Sequence, residues 1–318
     1  MAKEKVKKEK KEKAKPEVKK MQRIRPDYEA LDSLSSMVHF IQYGRTLDRS
    51  DGAFPSVFRG QSMEFEDLRP YVPGDNLRDM DWKSTSRAGI PMVRNYVGDK
   101  RKQIIFIADT GKTMKGTMPD GNDKRECVML SLGTAAYLSM RSGADISIIC
   151  GDDWKSRLNH FERGGGYFEE SMDLMQHALF KDTEKEVKCP EVWEVIDMIL
   201  DMPLRGVSIC LVTDLKGMYD IPEKALRAAA SGREFYAFEI SDGTFDRRNY
   251  YDVLSDRFIP GFFSRSKKLS EEIWKKQEEY QTQVRNKLRR CGVVYAYLED
   301  EKEIPETVTK VLNGEITD

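Results

Sequence analysis

The sequence predicts an α/β fold with a mostly parallel sheet and helices on both faces. From about residue 103 onward, short apolar runs typical of buried strands alternate with longer segments of helical periodicity. Two of these runs, residues 104–108 and 207–213, are each followed directly by an aspartate, Asp109 or Asp214. Strands that alternate with helices usually pair in parallel and are covered on both faces, so this order of elements predicts a layered α/β domain.

Composition indicates a cytoplasmic protein with one large domain or two small ones. The chain has 318 residues, of which 39% are hydrophobic and 34% charged, with a net charge of −1. The first twenty residues are rich in Lys with interspersed Glu, which predicts a disordered tail over 1–22. The tail is either a solubilising leader or weakly attracted to anionic lipid or nucleic acid. It lacks the arginine and aromatic content of specific nucleic-acid recognition, so we expect no nucleic-acid partner.

The chain shows no secretory signal and no run of about 20 apolar residues, so we expect no integral membrane segment. Its five cysteines and three histidines show no metal-ligand spacing, and buried free thiols explain the cysteines best.

Residues 23–100 are predicted to form an N-terminal helix and a charged, β-rich appendage. Leu31, Leu34 and Val38 recur at helical spacing and predict a helix over 27–43. After a loop, residues 58–96 contain turn signals, a suggested hairpin at Gly89 and a strand over 92–96.

Residues 101–318 are predicted to form the α/β domain. The predicted strands cover 104–108, 145–150, 156–161, 207–213, 234–240 and 293–297. The predicted helices cover 123–140, 167–179, 191–202, 222–230, 268–290 and 305–312.

Asp109 and Asp214 are the main candidates for a functional site. Ligands of open parallel sheets bind at the carboxyl ends of the strands, where the two carboxylates would converge if their strands are neighbours. Thr113 could add a hydroxyl from the loop after Asp109, and oxygen ligands of this kind suit Mg²⁺. Alternatively, both aspartates cap the turns and helices that follow their strands.

Two other chemistries fit this loop poorly. Gly111-Lys112-Thr113 is similar to the end of a phosphate-binding loop, but Phe106 stands where that loop needs its first glycine. A phosphatase-type aspartyl nucleophile would need a second acidic residue where Gly111 stands.

The region before the sheet carries closely spaced opposite charges among aromatic residues. These charges suggest an ion-pair network that fixes an irregular region, and we expect Asp81 to pair with Arg87. A partner-binding surface and a direct catalytic role are the alternatives. The residues concerned include Glu64, Arg69, Asp75, Arg78, Asp81, Trp82 and Arg87.

The same region holds a motif with many fixed positions: Gly60-x-x-x-Glu64-Phe65-x-x-Leu68-Arg69-x-Tyr71-x-Pro73-Gly74-Asp75-x-x-Arg78-x-x-Asp81-Trp82-Lys83, then Arg87-x-Gly89. This pattern resembles that of the bacterial domain-of-unknown-function 58 family. The resemblance implies that residues 101–318 form a von Willebrand factor A-like, Rossmann-like domain.

Such domains often bind a metal ion through an Asp-x-Ser-x-Ser loop, a threonine and a later aspartate. By this resemblance Asp109, Thr113 and Asp214 keep their metal-ligand positions, whereas Gly111 replaces the first serine and Tyr167 stands where the threonine is expected. The resemblance thus implies a degenerate metal site that binds Mg²⁺ weakly or not at all.

Family resemblance implies a non-enzymatic protein–protein interaction module. It implies an adaptor or co-chaperone that works with a MoxR-type AAA ATPase. The alternatives are a metal-dependent hydrolase, of phosphatase or nuclease type, that uses Asp109 and Asp214, and a purely structural module.

Overall fold

A computed structural model describes residues 23–38, 63–72, 79–98, 102–151, 157–158, 160–180, 191–202, 204, 206–243, 251–252, 257–258 and 267–315. The predicted tail over 1–22 and the last part of the predicted helix over 27–43 lie outside the described residues.

Five parallel strands form the central sheet and confirm the predicted α/β class. They are β3 (Gln103–Ala108), β4 (Asp145–Ile149), β5 (Ser208–Asp214), β6 (Phe235–Ile240) and β7 (Val294–Leu298). Their order across the sheet is β4-β3-β5-β6-β7, so that β3 and β5 are neighbours and Ala108 lies opposite Val212. The ends of β3, β5 and β6 therefore lie side by side at the carboxyl edge.

Helices cover both faces of the sheet, as predicted. One face is packed by α1 (Tyr28–Ser35), α3 (Lys124–Arg141), α4 (Gly165–Phe180) and α9 (Ile304–Leu312). The other is packed by α5 (Val192–Asp201), α6 (Leu215–Asp220), α7 (Glu223–Ala230) and α8 (Lys267–Cys291).

Side chains along each strand alternate between these two layers. On β3, Phe106 belongs to the core under α3, whereas Ile105 and Ile107 belong to the core on the opposite face. All three side chains are buried, which explains why β3 is a continuous apolar run.

The N-terminal helix packs against the sheet domain through α3 and α4. Leu31 of α1 is buried in the core, and the Tyr28 ring stacks on Tyr137 of α3 at 4.9 Å between centroids. Just before α1, the Arg25 guanidinium forms ion pairs with Glu169 and Asp173 of α4, at 2.8 and 2.5 Å. The sequence groups this segment with the motif region, but its described contacts are with the sheet domain.

The motif region contains two antiparallel strands and a short helix. Strand β1 (Met63–Pro70) pairs with β2 (Met92–Gly98), and α2 (Trp82–Ala88) lies between them in the chain. The hairpin suggested at Gly89 is wrong, because Gly89 ends α2 in the left-handed conformation with φ 70°. The helix has no buried residue and hence no apolar periodicity that could have revealed it.

Two further elements differ from the prediction. No strand forms in the described part of 156–161; Arg157 and Leu158 lie in a helical turn, and Glu162 makes an isolated bridge with Ile146. Helix α6 follows β5 directly and was not predicted, because its six residues are too few for a periodic pattern. None of the helices in the described part is both long and apolar enough to cross a membrane.

Candidate functional site

Asp109 and Asp214 lie at adjacent strand ends, as expected from the sequence. The backbone amide of Asp109 donates to the carbonyl oxygen of Val212, 3.0 Å away, which fixes the end of β3 beside the end of β5. Asp109 Oδ1 accepts from the amide of Gly111 at 2.8 Å, and its Oδ2 accepts from the Thr213 hydroxyl at 2.5 Å. Both carboxylate oxygens of Asp109 therefore accept hydrogen bonds, one from its own loop and one from β5.

Asp214 caps the helix that follows it. Its Oδ1 accepts from the amide of Gly217 at 2.9 Å, at the N-terminus of α6. The Thr113 hydroxyl helps to lower the pKa of the Asp214 carboxyl group, so these two proposed ligand residues lie close together. The alternative role of these aspartates as caps is thus correct for Asp214.

A lysine that the sequence analysis missed lies among these carboxylates. The Nζ of Lys124 is 3.0 Å from Asp214 Oδ2 and 2.6 Å from Asp242 Oδ1. The side chain of Lys124 is 0% exposed and that of Asp214 is 1%, whereas that of Asp242 is 48%. Asp242 follows β6, so the cluster joins three neighbouring strand ends to the start of α3.

One signal in the sequence pointed to Lys124. Lysine is the first residue of α3, directly after the N-cap Asp123. A cation at this end of a helix is disfavoured by the helix dipole, so a lysine there suggests an acidic partner from another segment. Asp242 could be found by extending the strand-end aspartate pattern to β6.

The pKa values of this cluster follow from burial and charge. Burial alone would lower the pKa of Lys124, but attraction to Asp214 and Asp242 outweighs burial and raises it. Burial alone would raise the pKa of Asp214, but Lys124, the Gly217 amide and the Thr113 hydroxyl lower it. Lys124 and Asp214 are therefore an ion pair at neutral pH.

For Asp109, the effects that raise the pKa outweigh those that lower it. Its pKa is raised above the ordinary value because the carboxyl group is buried and faces the negative charge of Asp214. The hydrogen bonds from Thr213 and Gly111 and the charge of Lys124 only partly oppose this shift.

Tyr167 does not supply the missing hydroxyl ligand. It lies in α4, and its hydroxyl donates to the carbonyl oxygen of His160 at 3.2 Å. Its ring packs 5.6 Å from that of His160. Tyr167 thus belongs to the core under α4 and contributes nothing to the strand-end cluster.

The donor set does not fit a divalent metal. An ammonium group stands between Asp214 and Asp242, and a second cation beside it would be repelled. Across the part of the chain that the structure describes, no three His, Cys, Asp or Glu side chains are grouped to hold a metal ion.

The motif residues are arranged differently from the expected ion-pair network. Asp81 caps α2 through the amide of Ser84 and pairs with Arg94 at 3.0 Å, not with Arg87. Arg87 is exposed in the last turn of α2, and Trp82 is exposed at its first residue. Glu64 and Arg69 lie on β1, whereas Asp75 and Arg78 lie outside the described residues.

A family model described as "Protein of unknown function DUF58" matches residues 67–246, more than half of the chain. The chain belongs to the DUF58 family. The matched residues include β2 and α2 of the motif region together with β3, β4, β5 and β6 of the sheet. All three aspartates of the cluster and Lys124 fall within them.

Other comparisons add little to the DUF58 match. No curated protein matches the chain. A solved structure, the crystal structure of conserved hypothetical protein BatB from Bacteroides thetaiotaomicron, is 13% identical with a TM-score of 0.39. The similarity covers 66% of the DUF58 chain and 98% of the BatB chain.

We expect Gly217→Ala to destabilise the DUF58 chain by about 1–3 kcal/mol, because overpacking typically has this cost. A Cβ at Gly217 would lie 2.0 Å from Thr213 Oγ1 and 3.2 Å from Asp109 Oδ2. The clash outweighs the gain that alanine normally brings inside a helix. Denaturant unfolding of the purified protein measures the loss.

Gly166→Ala is the matched control, because a Cβ at Gly166 in α4 would meet nothing within 4 Å. This variant should be as stable as the wild type or slightly more stable. Equal stability of the two alanine variants would contradict the close approach of α6 to Thr213.

Proposed function

We propose that this protein is a non-enzymatic interaction module of the cytoplasm, an adaptor or co-chaperone for a MoxR-type AAA ATPase. In this proposal its α/β part is a von Willebrand factor A-like domain, and the motif region supplies a contact surface for the partner. The proposal deepens the family assignment, which by itself carries no function.

The exposed indole of Trp82 is the observation that carries the proposal. Trp82 is 69% exposed although it is a large apolar side chain in the most specific motif of the sequence. Tryptophan is enriched among the residues that dominate binding energy in protein interfaces. An indole that the fold leaves in water is therefore well suited to anchor a partner.

Two more exposed apolar side chains lie at the same end of the β1–β2 pair. Val72 is 55% exposed and Ile90 is 49% exposed. Val72 directly follows Tyr71 and Ile90 directly precedes Pro91, and the Tyr71 amide donates to the carbonyl oxygen of Pro91. The amide of Asp81, just before Trp82, donates to the carbonyl oxygen of Met92 in the same place. An apolar patch on a charged module is typical of a protein-binding surface.

The contacts of Asp109 and Asp214 count against the hydrolase alternative. A nucleophile or general base needs a carboxylate that is free to face a substrate or a metal-bound water. Here Asp214 is buried against Lys124, and Asp109 accepts hydrogen bonds at both oxygens.

Co-purification tests the partner. We expect the tagged full-length protein to retain a purified MoxR-type AAA ATPase from the same genome, and Trp82→Ala to weaken retention at least tenfold. Trp274→Ala is the matched control, because Trp274 is 47% exposed on α8 and is not part of the motif region. The control should bind as the wild type does.

Unchanged binding by both variants, or failure of the wild type to retain the ATPase, would count against the adaptor. Phosphatase or nuclease turnover with Mg²⁺ that Asp109→Ala abolishes would favour the hydrolase instead.

A further inference from the structure

The Lys124 ammonium lies between the last residue of β5 and the loop after β6. It donates charge-assisted hydrogen bonds to Asp214 Oδ2 at 3.0 Å and to Asp242 Oδ1 at 2.6 Å. Because Lys124 is the first residue of α3, the ammonium joins three segments that follow β3, β5 and β6 in the chain.

The loop after β3 encloses the stem of this lysine. The amide of Lys124 donates to the carbonyl oxygen of Gly116 at 3.1 Å, and a Cβ at Gly116 would lie 3.2 Å from Lys124 Cδ. The same loop is also bound to the loop after β6, because the Gly243 amide donates to the carbonyl oxygen of Thr117 at 2.8 Å. The lysine is thus built into the site and cannot swing out without opening two loops.

The charge at this position is what a bound metal would supply. A divalent ion would neutralise the strand-end carboxylates and hold their loops together, using oxygen ligands such as Asp214 and the Thr113 hydroxyl. The Lys124 ammonium already holds Asp214 and Asp242 in this way. A second cation at the same carboxylates would face its full repulsion in a site of low dielectric.

We propose that Lys124 is the resident cation of this site, and that its ammonium replaces a divalent metal as the group that ties the strand-end loops together. Asp214 and Asp242 supply the carboxylate oxygens that lose their partner when the ammonium is removed. The proposal concerns cation binding alone and does not depend on the partner.

Titration of Mn²⁺ and Mg²⁺ into the full-length protein tests this assignment. We expect no change in melting temperature for the wild type. Lys124→Ala should melt at a lower temperature without metal and regain several degrees in saturating Mn²⁺, because the shortened side chain leaves space beside the Asp214 and Asp242 carboxylates. Adding Asp214→Asn to Lys124→Ala should abolish the regain.

Lys124→Met is the matched control, because methionine fills the space of the lysine stem without its charge. It should lose stability as Lys124→Ala does and show no Mn²⁺ response. The absence of a Mn²⁺ response in Lys124→Ala, or an equal response in Lys124→Met, would overturn the assignment.

If the Lys124 variants do not fold, Mn²⁺ binding by the wild type tests the proposal. Electron paramagnetic resonance counts bound Mn²⁺ in the wild type and in Asp214→Asn. Stoichiometric binding by the wild type that Asp214→Asn removes would overturn the proposal, and equal weak binding by both proteins supports it.

Discussion

Lys124→Met should lower the free energy of unfolding at pH 7 by about 3–5 kcal/mol, the usual cost of breaking a buried ion pair from one side. The substitution leaves Asp214, which is 1% exposed, without its cation. Its hydrogen bond from the Gly217 amide remains, but this bond does not neutralise the carboxylate. Chemical denaturation monitored by circular dichroism measures the change.

The effect of Lys124→Met should shrink as the pH falls. In the wild type the pKa of Asp214 is lowered, so its contribution to stability is present above the unfolded pKa and is lost as the pH falls through the folded pKa. In the variant this pKa rises, and protonation removes the buried charge at higher pH. Unfolding curves between about pH 4 and pH 8 should therefore converge towards the acid end.

Lys115→Met is the control for Lys124→Met. Lys115 lies between β3 and α3, in a short 3₁₀ helix, and its side chain is exposed. We expect a change of less than about 0.5 kcal/mol, as is usual for surface substitutions. Equal effects of the two methionine variants would show that the Lys124–Asp214 pair is not a buried charge pair.

Glu239→Gln should make the protein more stable than the wild type above pH 7. Glu239 of β6 is buried and hydrogen-bonded by the Tyr295 hydroxyl. Burial raises its pKa to about 7, and the negative charges of Asp242 and Asp214 add to this shift, whereas Tyr295 and Arg285 oppose it. In the unfolded chain the pKa is near 4.5.

The direction in which stability changes with pH follows from these two pKa values. The folded protein retains the proton between about pH 4.5 and 7 while the unfolded chain has lost it, so stability is lost as the pH rises through this window. A difference of this size corresponds to about 3 kcal/mol. Glutamine cannot ionise, so the variant should match the wild type near pH 4 and exceed it by about 3 kcal/mol at pH 8.

Tyr295→Phe gives the complementary measurement. It removes the donor that stabilises the Glu239 carboxylate, so the pKa of Glu239 should rise further and the loss of stability should extend to higher pH. A wild-type stability that is flat between pH 4 and pH 8 would contradict the buried, titrating carboxyl group.

Most of the sheet domain could be predicted because local pattern and burial agree there. Strand β5 contains four consecutive apolar residues, 209–212, before Thr213 and Asp214, and all seven of its residues are buried. Its neighbour β3 follows the same rule, so the meeting of Asp109 with Asp214 could be inferred from two strand ends alone.

Short polar elements could not be predicted in the same way. Helix α2 is stabilised by its N-cap Asp81 and by Gly89 at its end, and it buries nothing that would leave a pattern in the sequence. The role of Lys124 depends on residues 90 and 118 positions away, Asp214 and Asp242. Sequence spacing gives no information on contacts of that range, although the lysine at a helix N-terminus was a usable signal.

Docking of the N-terminal segment has a mechanical consequence for the motif region. Arg25 and α1 bind to α3 and α4, and β3 lies inside the sheet, so the chain between residues 38 and 102 is anchored to the same body at both ends. A force applied at Trp82 would act on both chain connections at once. A single proteolytic cut in one connection would leave the region attached through the other. A force applied to the motif region would therefore reach the sheet domain at two places at once.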